Sequence, residues 1–255
     1  MIQRLCTVRA CARPLTADGT RLVCEQGHSF DIARRGYVNL LGPQDRRSRD
    51  PGDSAPAVAA RKRIHAAGLA APLLEAVAEA LNAQPADRVL DVGCGDGYFL
   101  GEIQSRSGFE GEGLDISTPA VEAAARSYPA CSWIVANADR FLPYPDRSIS
   151  RLMSITARMN PSEFHRVLQS GGRLLIAVPG PEDLVELRGE GRDRSDRTRE
   201  EFDSAFVLIE QRRVSVSVAV TQQQVADLRL SIYRPRGATP ERVTLSLDLF
   251  TLEPN

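Results

Sequence analysis

The spacing of apolar residues changes period twice along this chain. Between residues 56 and 84 they recur at three- and four-residue intervals, with Val58, Ile64 and Ala67, then Leu73, Leu74, Val77 and Leu81. That period predicts helix, and Gly68 and Pro72 divide it into two helices. From Arg88 onward, short apolar runs alternate with helical stretches. The runs 88–92, 111–115, 132–136, 149–155, 173–178, 212–219 and 243–251 read as strands, and 119–127, 161–168 and 221–230 as helices. Such alternation predicts βαβ units and a mostly parallel sheet, here closed by an antiparallel hairpin strand after an excursion containing Pro235 and Pro240. The first 43 residues hold only short extended pieces, Arg21 to Val23 and Tyr37 to Leu41, separated by turn signals at Asp18-Gly19 and Gly27. Residues 44–54 read as a polar linker, and the charged run 188–201 as a solvated loop, with a substrate lid as the sharper alternative. The expected organisation is therefore a small domain at 1–43, a linker with helices at 44–84, and an α/β domain at 85–255.

Composition adds limits. With 255 residues, 42% hydrophobic and 25% charged, the chain suits a folded catalytic domain with a small appendage. No run of about 18 uncharged apolar residues exists, so no membrane contact is expected. The basic N-terminus lacks the apolar centre of a secretory signal, so a cytoplasmic location is expected. Charge is unevenly shared. Residues 1–65 hold 12 basic and 6 acidic side chains, a net of +6, against 20 and 27 in the remainder, a net of −7. A basic N-terminal quarter with Arg34, Arg35, Arg46, Arg47, Arg49, Arg61 and Arg63 fits contact with nucleic-acid phosphates. It equally fits a solvated Arg-rich surface.

The stretch Val89-Leu90-Asp91-Val92-Gly93-Cys94-Gly95-Asp96-Gly97-Tyr98-Phe99-Leu100 runs from an apolar strand through three glycines into a helix. Glycine permits positive φ and lets a ligand approach the backbone. The spacing differs from the dinucleotide fingerprint, which places a pyrophosphate at the helix start. Asp91, just before the first glycine, can face a cationic ligand. Asp115, ending the next strand before Ile116, can accept both hydroxyls of a ribose. Asn137, Ala138 and Asp139 end the third strand with groups suited to an adenine edge. In this order the motifs resemble those of class I S-adenosylmethionine methyltransferases, with a Rossmann-like sheet. The resemblance implies S-adenosylmethionine held by Asp91, Gly93, Gly95, Gly97, Tyr98, Phe99, Leu100, Asp115, Ile116, Asn137, Ala138 and Asp139.

Three of the five cysteines fall in the first 24 residues. Cys6-x4-Cys11 and Cys24-x3-His28 form two short-range pairs around the Asp18-Gly19 turn. Zinc takes four tetrahedral N/S ligands delivered this way. A structural zinc on Cys6, Cys11, Cys24 and His28 is expected, since four protein ligands leave no position for water. His65 and His165 have no such neighbours and read as ordinary helix-face histidines.

The Cys/His cluster, the segment Ser29 to Leu41, the run Arg47-Ser48-Arg49-Asp50-Pro51-Gly52-Asp53-Ser54 and Val178-Pro179-Gly180-Pro181-Glu182-Asp183-Leu184 together resemble the RlmA-type methyltransferases, to about residue 187. The resemblance implies methylation of guanine N1 in large-subunit (23S) ribosomal RNA, with that RNA as partner. A homodimer is a further expectation. The chain departs from the family at the first cysteine gap, four residues in place of two. It also has Ala70 where relatives have an aromatic residue, and Thr156-Ala157-Arg158 where they have Tyr-Ala-Pro. That last change falls where target specificity should reside. It keeps a small-molecule methyltransferase in play as an alternative, beside an RNA-binding factor whose catalytic pocket has decayed. No residue is assigned as general base.

Overall fold

The computed structural model describes residues 2–42, 51–189, 191–232 and 239–255. Residues 44–50 of the expected linker, with Arg46, Arg47 and Arg49, and Pro235 of the expected excursion lie outside them.

Three short strands, β1 (Thr16–Asp18), β2 (Arg21–Val23) and β3 (Ser29–Asp31), form an antiparallel ribbon about the Asp18-Gly19 turn. The chain then enters β4 (Val38–Asn39). Two helices follow, α1 (Ala55–Ala66) and α2 (Ala71–Leu81). Ser54 caps α1 by accepting from the Ala57 N–H, and both helices carry proline in their first turn, where its missing N–H costs nothing. The apolar stripe Leu73, Leu74, Val77 and Leu81 of α2 is buried, as its spacing predicts.

The rest alternates strand and helix: β5 (Arg88–Val92), α3 (Tyr98–Ser107), β6 (Glu110–Asp115), α4 (Thr118–Ser127), β7 (Ser132–Val135), β8 (Ile149–Ile155), α5 (Pro161–Val167), β9 (Leu168–Pro179), α6 (Val185–Arg188), α7 (Ser195–Phe202), β10 (Phe206–Ala219), α8 (Gln222–Ser231) and β11 (Arg242–Pro254). One sheet has the order β10-β11-β9-β8-β5-β6-β7-β4, parallel except where β11 runs antiparallel to both β9 and β10. All seven expected strands are present. The eighth, β4, comes from the N-terminal segment and pairs with β7 through Val38 opposite Ile134 and Asn39 opposite Val135.

The charged run 188–201 departs from the loop expectation, because its second half is helix α7. Only Ser195, Thr198 and Phe202 of that helix are buried, too thin an apolar stripe to announce itself in the sequence. Phe202 anchors it between Phe164 and Phe206, with ring centroids 6.3 and 5.6 Å away.

Each sheet face has its own core. On one, α1 to α4 cover Val89, Trp133, Val135, Met153 and Leu175. On the other, Leu90, Leu114, Ile134 and Ile176 pack with Phe164, Phe202 and the ribbon residues Ile2, Leu15 and Leu22. The ribbon thus shares a core with the sheet. A buried ion pair joins them as well: the Arg4 guanidinium donates to both Glu112 oxygens at 2.9 and 3.0 Å, and the Tyr144 hydroxyl donates to Glu112 at 2.6 Å.

Candidate cofactor and metal sites

The carboxyl ends of β5, β6, β7 and β8 open into a cavity of about 730 Å³, at the point where sheet order reverses and ligands collect in open α/β folds. Asp91, on β5, is 2% exposed, and its Oδ1 has no hydrogen-bond partner among the described residues. Burial, then the nearby Asp115 and Asp96 carboxylates, push the Asp91 carboxyl well above the usual range. A buried acid left without a partner is costly unless a donor or cation completes it.

Gly93, Gly95 and Gly97 have φ of +81°, +55° and +80°. A Cβ on Gly93 would lie 2.3 Å from the Ala157 Cβ, and one on Gly97 would meet the Trp133 ring at 2.5 Å. Only glycine fits either place. Asp115 holds this loop by accepting from the Gly95 N–H at 2.9 Å, while its other oxygen accepts from Ser117 N–H at 2.8 Å. Burial pushes its carboxyl up against the pull of those two donors. Each oxygen keeps a second lone pair for a ligand hydroxyl. Asn137 closes the turn after β7 by accepting from the Asp139 N–H, and Asn137, Ala138 and Asp139 all line the cavity.

Asp91, Gly93, Gly95, Phe99, Asp115, Ile116, Asn137, Ala138 and Asp139 are brought together around this one space. Gly97, Tyr98 and Leu100 are not among its lining. Leu100 is fully buried in the core, and Tyr98 turns away to stack on His65. In place of Tyr98, the cavity gains His65 itself. Its Nδ1 lies 2.9 Å from Asp96 Oδ2, and its ring is 4.1 Å from that of Tyr98. Arg61, Ile64 and His65 form the wall from α1. Their i, i+3, i+4 spacing was the available sequence signal, but a mixed Arg/Ile/His stripe does not stand out as either core or surface. Asp53 was also missed. It pairs with Arg61 at 2.7 Å, and its carbonyl accepts from the Ser117 hydroxyl, folding the segment before α1 over the site.

Among the described residues six aspartates line the cavity, Asp53, Asp91, Asp96, Asp115, Asp139 and Asp183, against three arginines, Arg61, Arg158 and Arg188. The balance favours a cationic ligand. Apolar walls from Phe99, Ile155, Leu184 and Leu247 shed water.

In the ribbon, the ligand atoms of Cys6, Cys11, Cys24 and His28 all lie within 4.8 Å of one another. Cys11 Sγ and Cys24 Sγ are 3.8 Å apart, and His28 Nδ1 is 3.4 Å from both Cys6 Sγ and Cys24 Sγ. A disulfide needs about 2.05 Å. A tetrahedron with zinc–sulfur bonds of about 2.3 Å has edges of about 3.8 Å. The donor set and its spacing fit zinc. The wider Cys6-Cys11 gap is absorbed by a loop in which Ala10 and Ala12 take positive φ.

The arginines proposed for nucleic acid divide. Arg35 pairs with Glu122, Arg61 with Asp53 and Arg63 with Asp227, so these are engaged within the fold, while Arg34 is exposed.

A parallel sheet with an antiparallel final pair, and a carboxylate–glycine cradle at its switch point, define a class I methyltransferase fold. Solved structures agree on the fold. The [4+2]-cyclase SpnF superposes with a TM-score of 0.53 at 18% identity, over 71% of this chain and 80% of that one. A methyltransferase from Thiobacillus denitrificans in complex with S-adenosyl-L-homocysteine gives 0.50 at 17%, over 71% and 90%. Residues 89–175 match the methyltransferase-domain model, and residues 6–49 the model of the RlmA N-terminal zinc ribbon. The chain is 40% identical to the 23S rRNA (guanine(748)-N(1))-methyltransferase of Streptomyces fradiae, over 69% of this chain and 64% of that protein. It is 35% identical to the putative 23S rRNA (guanine-N(1)-)-methyltransferase YxjB of Bacillus subtilis (strain 168), over 68% and 63%. In both its ribbon and its methyltransferase domain the chain is similar to the RlmA-type methyltransferases. It spans slightly less than two thirds of the length of these relatives.

Proposed function

We propose that this protein transfers a methyl group from S-adenosylmethionine to N1 of a guanine in 23S ribosomal RNA, with a structural zinc in its ribbon. The observation that carries the cofactor reading is the buried Asp91 carboxylate beside the glycine cradle, whose Oδ1 has no partner among the described residues. The RNA reading rests on the matched ribbon, the basic N-terminal quarter and the activities named for the relatives.

S-adenosylmethionine would supply an electrophilic methyl carbon on a cationic sulfur. Asp91 would receive its cationic end, Asp115 the ribose hydroxyls, and Asn137 to Asp139 the adenine edge. Gly93 and Gly95 leave room for close backbone approach. The protein's contribution to rate is alignment of nucleophile and carbon. A guanine inside an RNA helix must first be unstacked to enter the cavity. Cys6, Cys11, Cys24 and His28 would hold the zinc, keeping the ribbon rigid against the sheet.

The test is to incubate the protein with methyl-labelled S-adenosylmethionine and either 23S rRNA or a cell small-molecule extract. Digestion of the RNA should release labelled 1-methylguanosine. Label found only in the extract would establish the small-molecule alternative, and no label in either would establish catalytic decay.

A further inference from the structure

Strand β8 leaves the sheet through Thr156, a non-glycine residue at φ +52°. Strain of this kind persists only where the surroundings impose it, and it collects at functional sites. Here the Thr156 N–H donates to the Ala177 carbonyl at 2.8 Å, which fixes the turn. The turn places Ala157 against Gly93 and sends Arg158 to the cavity wall, with its side chain 80% exposed.

The three arginines of the cavity differ in their commitments. Arg61 is held by Asp53 at 2.7 Å and Arg188 by Asp183 at 3.1 Å. The nearest carboxylate to Arg158 is that of Asp139, 3.8 Å from Nε and beyond hydrogen-bond length. Arg158 thus presents a planar fork of N–H donors into the cavity, next to the cofactor cradle, with its hydrogen-bonding capacity free for a ligand.

We propose that Arg158 is the residue that recognises the target base, donating to O6 and N7 of guanine. This rests on the guanine-methylation reading above. O6 and N7 are adjacent acceptors, and the guanidinium fork matches them in a bidentate pair. Engaging that edge leaves N1 free toward the methyl carbon. In the transfer, the N1–H proton passes to solvent, the N1 electron pair forms the bond to carbon, and the carbon–sulfur pair stays on sulfur. Negative charge developing as N1 loses its proton spreads to O6, where the Arg158 guanidinium meets it. Adenine would turn its N6 amino donors toward the same fork, so the contact also rejects adenine.

The experiment uses 23S rRNA transcribed with guanosine, or with 7-deazaguanosine throughout, which removes N7 and keeps N1 and base pairing. Both are methylated by wild type, R158K and R158Q at saturating cofactor. R158Q should lose about 10- to 100-fold in kcat/KM on the normal transcript. R158K, a point charge without a fork, should stay well below wild type. The 7-deaza transcript should slow wild type several-fold and R158Q by no additional factor, because the contact it deletes is already gone. Cofactor affinity of R158Q, measured by calorimetry, should remain within twofold of wild type, showing an intact cavity. A 7-deaza penalty in R158Q equal to that in wild type, or R158Q within twofold of wild type in kcat/KM, overturns the assignment. Wild type yielding no 1-methylguanosine overturns the function reading and this inference together, whereas the first two results leave the function standing.

Discussion

Asp91 is a carboxylate in surroundings that oppose its charge. Burial and two neighbouring carboxylates raise its pKa well above that of a free side chain. The consequence for pH has a definite sign. Below the ordinary carboxylate range, near pH 3.9, folded and unfolded chains both hold the proton. Above it the unfolded chain ionises while the fold still favours the acid, so this residue's stabilising contribution falls as pH rises through the folded value. A cationic ligand reverses the preference, favouring the charged form. Cofactor binding should therefore release a proton from Asp91 in the pH range just below its raised value. Calorimetry there, in two buffers of different ionisation enthalpy, should give different apparent binding enthalpies. Equal enthalpies would show that Asp91 does not change charge. Asp91→Asn should raise the melting temperature of the ligand-free protein at neutral pH and weaken cofactor binding. A lower melting temperature would contradict the charge argument. For Asp115, the loss runs through two routes, since its oxygens hold the Gly95 loop as well as facing the cavity. Asp115→Ala should cost roughly 1–3 kcal/mol of cofactor affinity, as expected when buried polar groups lose a partner.

At the scale of elements, the ribbon owes its place to contacts from both ends. Arg4 reaches Glu112 on β6, and β4 extends the sheet beside β7. The Arg4 and Glu112 side chains are only 13% and 2% exposed. Removing one partner strands a buried charge, so Glu112→Ala should cost about 3–5 kcal/mol of global stability in denaturant unfolding. Replacing all three of Arg4, Glu112 and Tyr144 by apolar residues of similar volume should cost much less. Equal losses would mean that the packing, not the charge, holds the joint. The metal cluster makes a separate prediction. Protein prepared without added metal should carry one zinc per chain by elemental analysis, and Cys11→Ala should bind substoichiometric zinc while keeping the fold of residues 85–255. Absence of zinc from the wild-type protein would remove the metal reading.

For the whole molecule, the proposed function together with the charge asymmetry predicts that the N-terminal quarter would face RNA. Arg4, Arg13, Arg21, Arg35, Arg61 and Arg63 are paired with carboxylates, so on this reading phosphate contact would fall to others, including Arg46, Arg47 and Arg49. Replacing these three by alanine should weaken RNA binding and flatten its dependence on log salt by about one unit per lost contact. Cofactor affinity should be unchanged. A wild-type salt slope in the triple variant would make them ordinary surface residues.

The sequence by itself determined the alternation of strand and helix, because each element must bury an apolar stripe of its own period. It also determined the glycine cradle, whose positive φ values no other residue tolerates without strain, and the Cys/His pairs, whose ligand chemistry is local. Only the tertiary structure decided what joins at a distance. Arg4 meets Glu112 across 108 residues. Strand β4 crosses from the ribbon into the main sheet. His65, an unremarkable helix residue in sequence, comes to face Asp96 in the cavity. Tyr98, inside the glycine motif, turns from that cavity to stack on His65. Periodicity reports which side of an element is buried, but not which element buries it. A polar side chain's role depends on the partner that packing brings to it.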